Sequence, residues 1–203
     1  MRVLIACEES QTVCKAFRAK GHEAFSCDIE PCSGGHPEWH IQKDVLGILE
    51  WKKWDLVIAH PPCTRLCNSG VRWLAERNLW DELRDGADFF CEFAKLKCAV
   101  AIENPVMHKY AKEILAELDT GFKNWPNASF TVQPWQFGDD FKKRTCFWTK
   151  GLPDLVPTSN LDGSTAKAEI HLMSPGKDRG KLRSKTYRGL AEAMAAQWGK
   201  INV

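Results

Sequence analysis

Apolar residues fall in short unbroken runs through the first half of the chain, with amphipathic stretches between them. Val3-Leu4-Ile5-Ala6 and Leu56-Val57-Ile58-Ala59 have the length and composition of strands buried on both faces. Residues 23–27, ending at Asp28, and residues 99–102 read as strands of the same kind, and a brief segment ends at Asp44. Residues 12–20 predict a helix closed by Gly21. Residues 31–37, with Gly34 and Gly35, predict a loop. Residues 75–97 place Leu79, Leu83, Ala87, Phe90 and Ala94 at helical spacing, which predicts one long amphipathic helix. Strand–helix alternation with short apolar strands predicts an α/β fold, a mostly parallel sheet with helices on both faces.

The last third of the chain changes character. Residues 130–135 and 144–149 flank Gly138-Asp139-Asp140 and predict an antiparallel C-terminal hairpin. Residues 151–185 are rich in Gly, Pro, Ser and Lys and read as mostly irregular, and residues 187–198 close the chain as a helix with Leu190, Met194 and Trp198 on one side. With 203 residues and no internal repeat, the expectation is one domain: a core over residues 1–150, a basic segment over 151–185 and a C-terminal helix over 186–199.

Composition narrows the class. No apolar run approaches the ~20 residues that span a bilayer, so no membrane partner is expected. The N-terminal run lacks the basic flank and long apolar core of a signal peptide. Nine cysteines, an odd number without a framework, point to reduced thiols and a cytoplasmic location. The formal charge of +2 hides an asymmetry, since residues 142–203 hold twelve Lys and Arg against five Asp and Glu. Lys177, Arg179, Lys181, Arg183, Lys185 and Arg188 fall within twelve residues, relieved only by Asp178. Such a cluster can meet nucleic-acid phosphates, and charge alone fits a solvated face equally well.

In an open parallel sheet, ligands bind beyond the C-terminal ends of the strands. Cys7-Glu8-Glu9-Ser10 follows the first strand, Asp28 the second, Asp44 the third, Pro61-Pro62-Cys63 the fourth and Glu103-Asn104-Pro105 the fifth. Carboxylates at successive strand ends suit the ribose hydroxyls and amino group of a nucleoside cofactor. Neither G-x-G-x-x-G nor a Walker loop is present, so a cofactor without phosphates fits best, and S-adenosylmethionine is the expected one. Cys63 follows two prolines that fix the backbone, which makes it a candidate nucleophile, although an ordinary half-buried cysteine has the same spacing. Cys27, Cys32, His36 and His40 have a spacing open to zinc, but a plain loop is expected there. Trp39 and Trp73 lie where an aromatic ring could stack on a base, with core packing as the alternative.

The pairing of Pro61-Pro62-Cys63 with Glu103-Asn104 resembles the DNA cytosine-5 methyltransferases, particularly small phage-type members. The resemblance extends over nearly the whole chain. Residues 3–11 look like the first cofactor loop, Cys27-Asp28 like the acidic end of strand two, and Lys43-Asp44-Val45 like the third cofactor motif. Residues 55–63 resemble the nucleophile loop, residues 102–105 the glutamate motif, and Phe137-Gly138 through Lys142, Lys143 and Arg144 to Phe147 a strand pair carrying two spaced arginines. The resemblance implies a Rossmann-like methyltransferase fold, S-adenosylmethionine as cofactor, DNA as partner, and the host cytoplasm as location if the source is viral.

It also implies roles. Cys63 would add to cytosine C6 while protonated Glu103 holds N3, and Arg144 with Lys142 would bind O2. Cys7, Glu8 and Ser10, Asp28 and Ile29, Asp44 and Val45, and Pro61 would border the cofactor, with Asp28 on the ribose and Asp44 on the adenine amino group. Nearby basic groups are expected to lower the Cys63 pKa. The chain departs from the family in three places. Glu8, Glu9, Ser10 and Gln11 stand where glycines are usual, and a lysine and an arginine replace two arginines. About 30 residues separate Phe147 from Arg179, too few for a target-recognition domain. That shortage keeps RNA or a free cytidine nucleotide open as substrate, and an inactive nucleic-acid-binding relative as a third possibility.

Overall fold

The protein is described from a computed structural model, which covers residues 1–169, 174, 176 and 179–201; the side chains of Arg179, Lys181 and Leu182 lie outside the description. Strands β1 (Arg2–Ala6), β2 (Glu23–Asp28), β3 (His40–Gln42), β4 (Leu56–Ala59) and β5 (Ala99–Asn104) run parallel. Strands β6 (Phe130–Val132) and β7 (Thr145–Lys150) complete the sheet, with β7 antiparallel to both β5 and β6. The lateral order is β3-β2-β1-β4-β5-β7-β6, a mixed α/β, Rossmann-like architecture.

Alternation along the central strands divides the core in two. Leu4, Ala6, Val57, Ala59, Val100 and Ile102 face helix α4 (Trp80–Lys95) and its Leu83, Phe90 and Ala94. Val3, Ile5, Leu56, Ile58 and Ala101 face the other way, onto Val13 and Phe17 of α1 (Thr12–Ala19) and onto Leu190, Met194 and Trp198 of the C-terminal helix Arg188–Trp198. Both faces are covered, which is why these strands read as unbroken apolar runs. Each fully buried Leu, Ile or Phe contributes about 1.5–3 kcal/mol. Shorter helices are α2 (Leu46–Leu49), α3 (Arg72–Glu76), α5 (Lys109–Leu115) and α6 (Arg179–Ser184), which makes the C-terminal helix α7. Among the described residues no helix is long and apolar enough to cross a membrane.

Three sequence expectations need correction. The single helix expected over 75–97 is two, α3 and α4, because Asn78 takes a left-handed φ of 50° and Leu79 N–H turns back to Leu74 O at 2.9 Å. Apolar spacing continues across the break, and periodicity does not register a residue type that tolerates this conformation. The first hairpin strand stops at Val132, since Pro134 has no N–H to give; Pro134–Phe137 forms a 3-10 turn instead, ended by Gly138 at φ 98°. The expectation of an irregular 151–185 holds through residue 162, whereas residues 179–184 are helical.

Phe17 is fully buried between the sheet and α7. Phe17→Ala is therefore expected to destabilise the protein by about 3–5 kcal/mol in urea unfolding, with the native fold retained.

Candidate active site

The nucleophile loop is built by backbone bonds across the C-terminal edge of the sheet. Beyond β4, His60 N–H continues the ladder to Ala6 O at 2.9 Å. Asn104, the last residue of β5, donates its side-chain amide to Pro61 O at 3.2 Å. Leu66 N–H and Cys67 N–H both donate to Cys63 O at 3.0 Å, so the chain winds into a helical turn at Cys63. That turn is fastened to the segment after β5: Cys67 bridges Met107, His108 N–H donates to Leu66 O at 3.1 Å, and His108 Nε2 lies 2.7 Å from Arg65 O. At Gly70 a Cβ would sit 2.2 Å from Thr64 O, so only glycine lets the chain close so near Cys63.

These bonds bring together the two residues on which the sequence argument rests. Glu103 is buried at the end of β5, and its Oε2 lies 3.1 Å from His60 Nδ1. Burial pushes the Glu103 carboxyl up, but the hydrogen bond to His60 and the charges of Lys143 and His60 outweigh it and leave its pKa below the ordinary carboxylate value. That direction favours the ionised carboxyl in the free protein; the protonated form that the resemblance implies belongs to the complex with the base. Cys63 is raised, first by its hydrogen bond to Cys67, then by burial and by the charges of Cys67 and Glu103, with Lys143 opposing. Cys67 is lowered to about 5 by the same hydrogen bond and by Ser69 and the backbone of Ser69 and Gly70, against the cost of burial. Their mutual hydrogen bond drives the two thiols in opposite directions, Cys63 up and Cys67 down. This corrects the expectation that basic groups lower the Cys63 pKa: the charge of Lys143 acts in that direction and is outweighed.

The cation whose field reaches both Cys63 and Glu103 is Lys143. Lys142 turns away, donating its ammonium to Ser164 O at 3.1 Å and its N–H to Lys167 O at 2.8 Å. Arg144 is exposed just before β7, and its charge acts on Cys146. Lys143 Nζ donates to Ser184 O at 3.3 Å and Lys185 O at 3.0 Å, at the C-terminal end of α6. The described part of the basic segment is thereby tied to the site, with Arg183 half-buried and Lys185 exposed. Lys177 lies outside the described residues, as do the side chains of Arg179 and Lys181. Lys143 and His60 both stood inside the quoted motifs without a role. A signal for His60 was available in its position, directly before the two prolines at a strand end.

Compared with known proteins, the chain matches no protein-family model and none of the curated proteins.

The other expected residues line the edge at β1, β2 and β3. Where glycines were missing from the first loop, Cys7 and Gln11 each adopt a left-handed φ of 58°, so the sharp turns are made without glycine. Gln11 is fixed by Ser26, Cys32 and His36. Glu8 points inward: its two oxygens accept Val13 N–H at 2.6 Å and Cys14 N–H at 3.2 Å, capping α1. Ser10 Oγ lies 3.2 Å from Thr12 Oγ1. The Cys7 thiol is pushed up by burial first and then by the charges of Asp28, Cys27 and Asp44. Each carboxylate also holds a turn, Asp28 through Glu30 N–H and Asp44 through Leu46 N–H. Ile29 beside them is 71% exposed, while Val45 and Pro61 are buried. Asp28, Asp44 and Ile29 are the residues at this edge that would hold the nucleoside the resemblance implies.

The remaining candidates have structural employment. Cys27, Cys32, His36 and His40 bond to Lys43 O, Gln11, Glu38 and Ser26 respectively, and no cluster of metal-ligating residues occurs among the described residues. Trp39 stacks on His36 at 3.7 Å beneath the Arg18 guanidinium, and Trp73 has the Arg72 and Arg77 guanidiniums each 4.2 Å from its ring.

A thiolate should appear near pH 5 in an ultraviolet absorbance titration of the native protein, and it should vanish in Cys67→Ala while persisting in a variant at the remote Cys91. Retention of that thiolate in Cys67→Ala would place the acidic thiol elsewhere.

Proposed function

We propose that the protein is an S-adenosylmethionine-dependent methyltransferase acting on C5 of cytosine in DNA. The observation that carries the proposal is the meeting of Cys63 and Glu103 beyond adjacent parallel strands, with the Lys143 charge acting on both. Cytosine C5 is a weak nucleophile until a group adds at C6. The Cys63 sulfur forms that bond, its proton passes to Cys67, and the displaced π electrons reach the C4–N3 region of the ring. Glu103, once protonated, donates to N3, and Lys143 stabilises the negative charge of the adduct. Arg144, at the exposed start of β7, is the candidate for O2. Asp28 and Asp44 bind the nucleoside part of the cofactor, and Ile29 offers its apolar side chain to the purine. Bound there, S-adenosylmethionine would supply an electrophilic methyl group. Loss of the C5 proton to solvent then expels Cys63, which takes its proton back from Cys67, and restores aromaticity.

The target carbon is inaccessible inside a duplex, so the base is flipped out or the strand is single. The short stretch between β7 and α6 leaves little chain for reading sequence, and loose target specificity follows. DNA containing 5-fluorocytosine, incubated with S-adenosylmethionine, is expected to trap a covalent adduct that disappears in Cys63→Ser. Glu103→Gln should slow its formation by about 10²-fold or more. No adduct with single- or double-stranded DNA would overturn the DNA substrate; methyl transfer to RNA or a cytidine nucleotide would then redirect the proposal, and absence of transfer to all of them would identify an inactive relative. If the basic segment meets phosphates, the logarithm of DNA affinity should fall against the logarithm of salt with a slope of about −0.9 per phosphate contacted.

A further inference from the structure

The lateral order β1-β4-β5 sets His60, at the end of the middle strand, between residues that follow its two neighbours. On the β5 side Glu103 lies 3.1 Å from Nδ1. On the β1 side is Glu8, on whose carboxyl the charge of His60 also acts. The side chains of His60 and Glu103 are only 9% and 11% exposed. His60 Nε2 is buried and has no hydrogen-bond partner among the described residues. The other titratable groups coupled to this cluster are Lys143 from the segment before β7, Cys146 of β7 and Cys63 from the loop after β4, all through Glu103, with Cys67 behind Cys63, and Lys15 of α1 through Glu8. A buried imidazole bonded to a carboxylate, with a second buried carboxyl close by, is more than a packing residue: it is a place where a proton can rest in the absence of solvent.

We propose that His60 is the positioning residue that orients Glu103 and stores the proton that Glu103 delivers to cytosine N3. The inference rests on the proposed cytosine chemistry and names the source of its acid. As Cys63 adds to C6, the His60 imidazolium passes its Nδ1 proton to the Glu103 carboxylate, and Glu103 hands that proton on to N3. When Cys63 leaves, N3 returns the proton to Glu103 and Glu103 returns it to His60. The imidazole ends as it began, and no proton is consumed in this cycle. An ionised Glu103 in the free protein is what such a relay requires, because only a carboxylate can take the proton up from the imidazole.

His60→Asn keeps an N–H donor facing Glu103 but cannot carry a proton. The expected result is a fall in kcat of about tenfold or more with KM for DNA within about threefold, since proton transfer contributes to the barrier and not to ground-state binding. The wild-type rate should decline on the alkaline side as the stored proton is lost, and in His60→Asn that decline should move about a unit or more to lower pH, since a carboxyl gives up its proton before an imidazolium does. Wild-type kcat and an unmoved profile in a folded His60→Asn protein would overturn the proposal. A second measurement requires no His60 variant and no activity: the imidazole of His60, followed by NMR with carbon-13-labelled histidine, should lose protons at lower pH in Glu103→Gln, where the carboxylate that favours the imidazolium is gone. An unchanged midpoint would also overturn it. Wild-type protein that forms no adduct while His60 responds to Glu103→Gln would overturn the cytosine function and its proton delivery, leaving the pair a structural one.

Discussion

Ala6 and Ala59 end β1 and β4, and parallel pairing matches Ala6 with Ala59 and Ala59 with Ile102, near the C-terminal end of β5. A slip of one residue in any of these strands would turn its buried side chains to the opposite layer. Because both layers are packed, one against α4 and the other against α1 and α7, the register is strongly specified. The positions of Glu8, His60 and Glu103 follow from it, since each lies within two residues of those three ends. The polar cluster is therefore placed by the apolar core beneath it, at the edge where parallel strands leave their last residues uncovered.

Loop bonding then refines what the sheet establishes. Asn104 holds Pro61, Cys63 O receives two N–H groups of its own turn, and the segment at 106–108 fastens the outer side of that turn. The nucleophile candidate thus stands on a loop with few free backbone groups, unlike a surface loop that samples many shapes. Lys143 performs a comparable service from the other side, where its ammonium satisfies the carbonyls ending α6 and its charge acts on Cys63 and Glu103. A single side chain links the basic segment to the acid–thiol cluster.

The strands were legible because each is an apolar run short enough to exclude a buried helix, and Pro61-Pro62 and Gly21 marked where elements stop. The break at Asn78 was not legible, because Leu79 and Leu83 keep the helical spacing across it. The α6 helix was hidden by a composition that looks irregular, and the carbonyls of its last turn are met by a lysine some forty residues away. Cys63 and Glu103 could be named from strand ends. Their charge states could not, since Cys67, His60 and Lys143 reach them only through the fold. Glu8 shows the converse: a carboxylate in the expected loop is drawn inward by the N–H groups that open α1.

The hydrogen bond between Cys63 and Cys67 has a bearing on chemical durability. Peroxides and alkylating agents attack thiolates far faster than thiols. Its hydrogen bond to Cys67, burial and the Glu103 charge all favour the protonated Cys63, which leaves it dormant towards such reagents. All nine cysteines are free, so the chain has no disulfide to withdraw them from oxidants. The arrangement shelters Cys63, one of four half-buried cysteines, by keeping its sulfur uncharged until something enters the site.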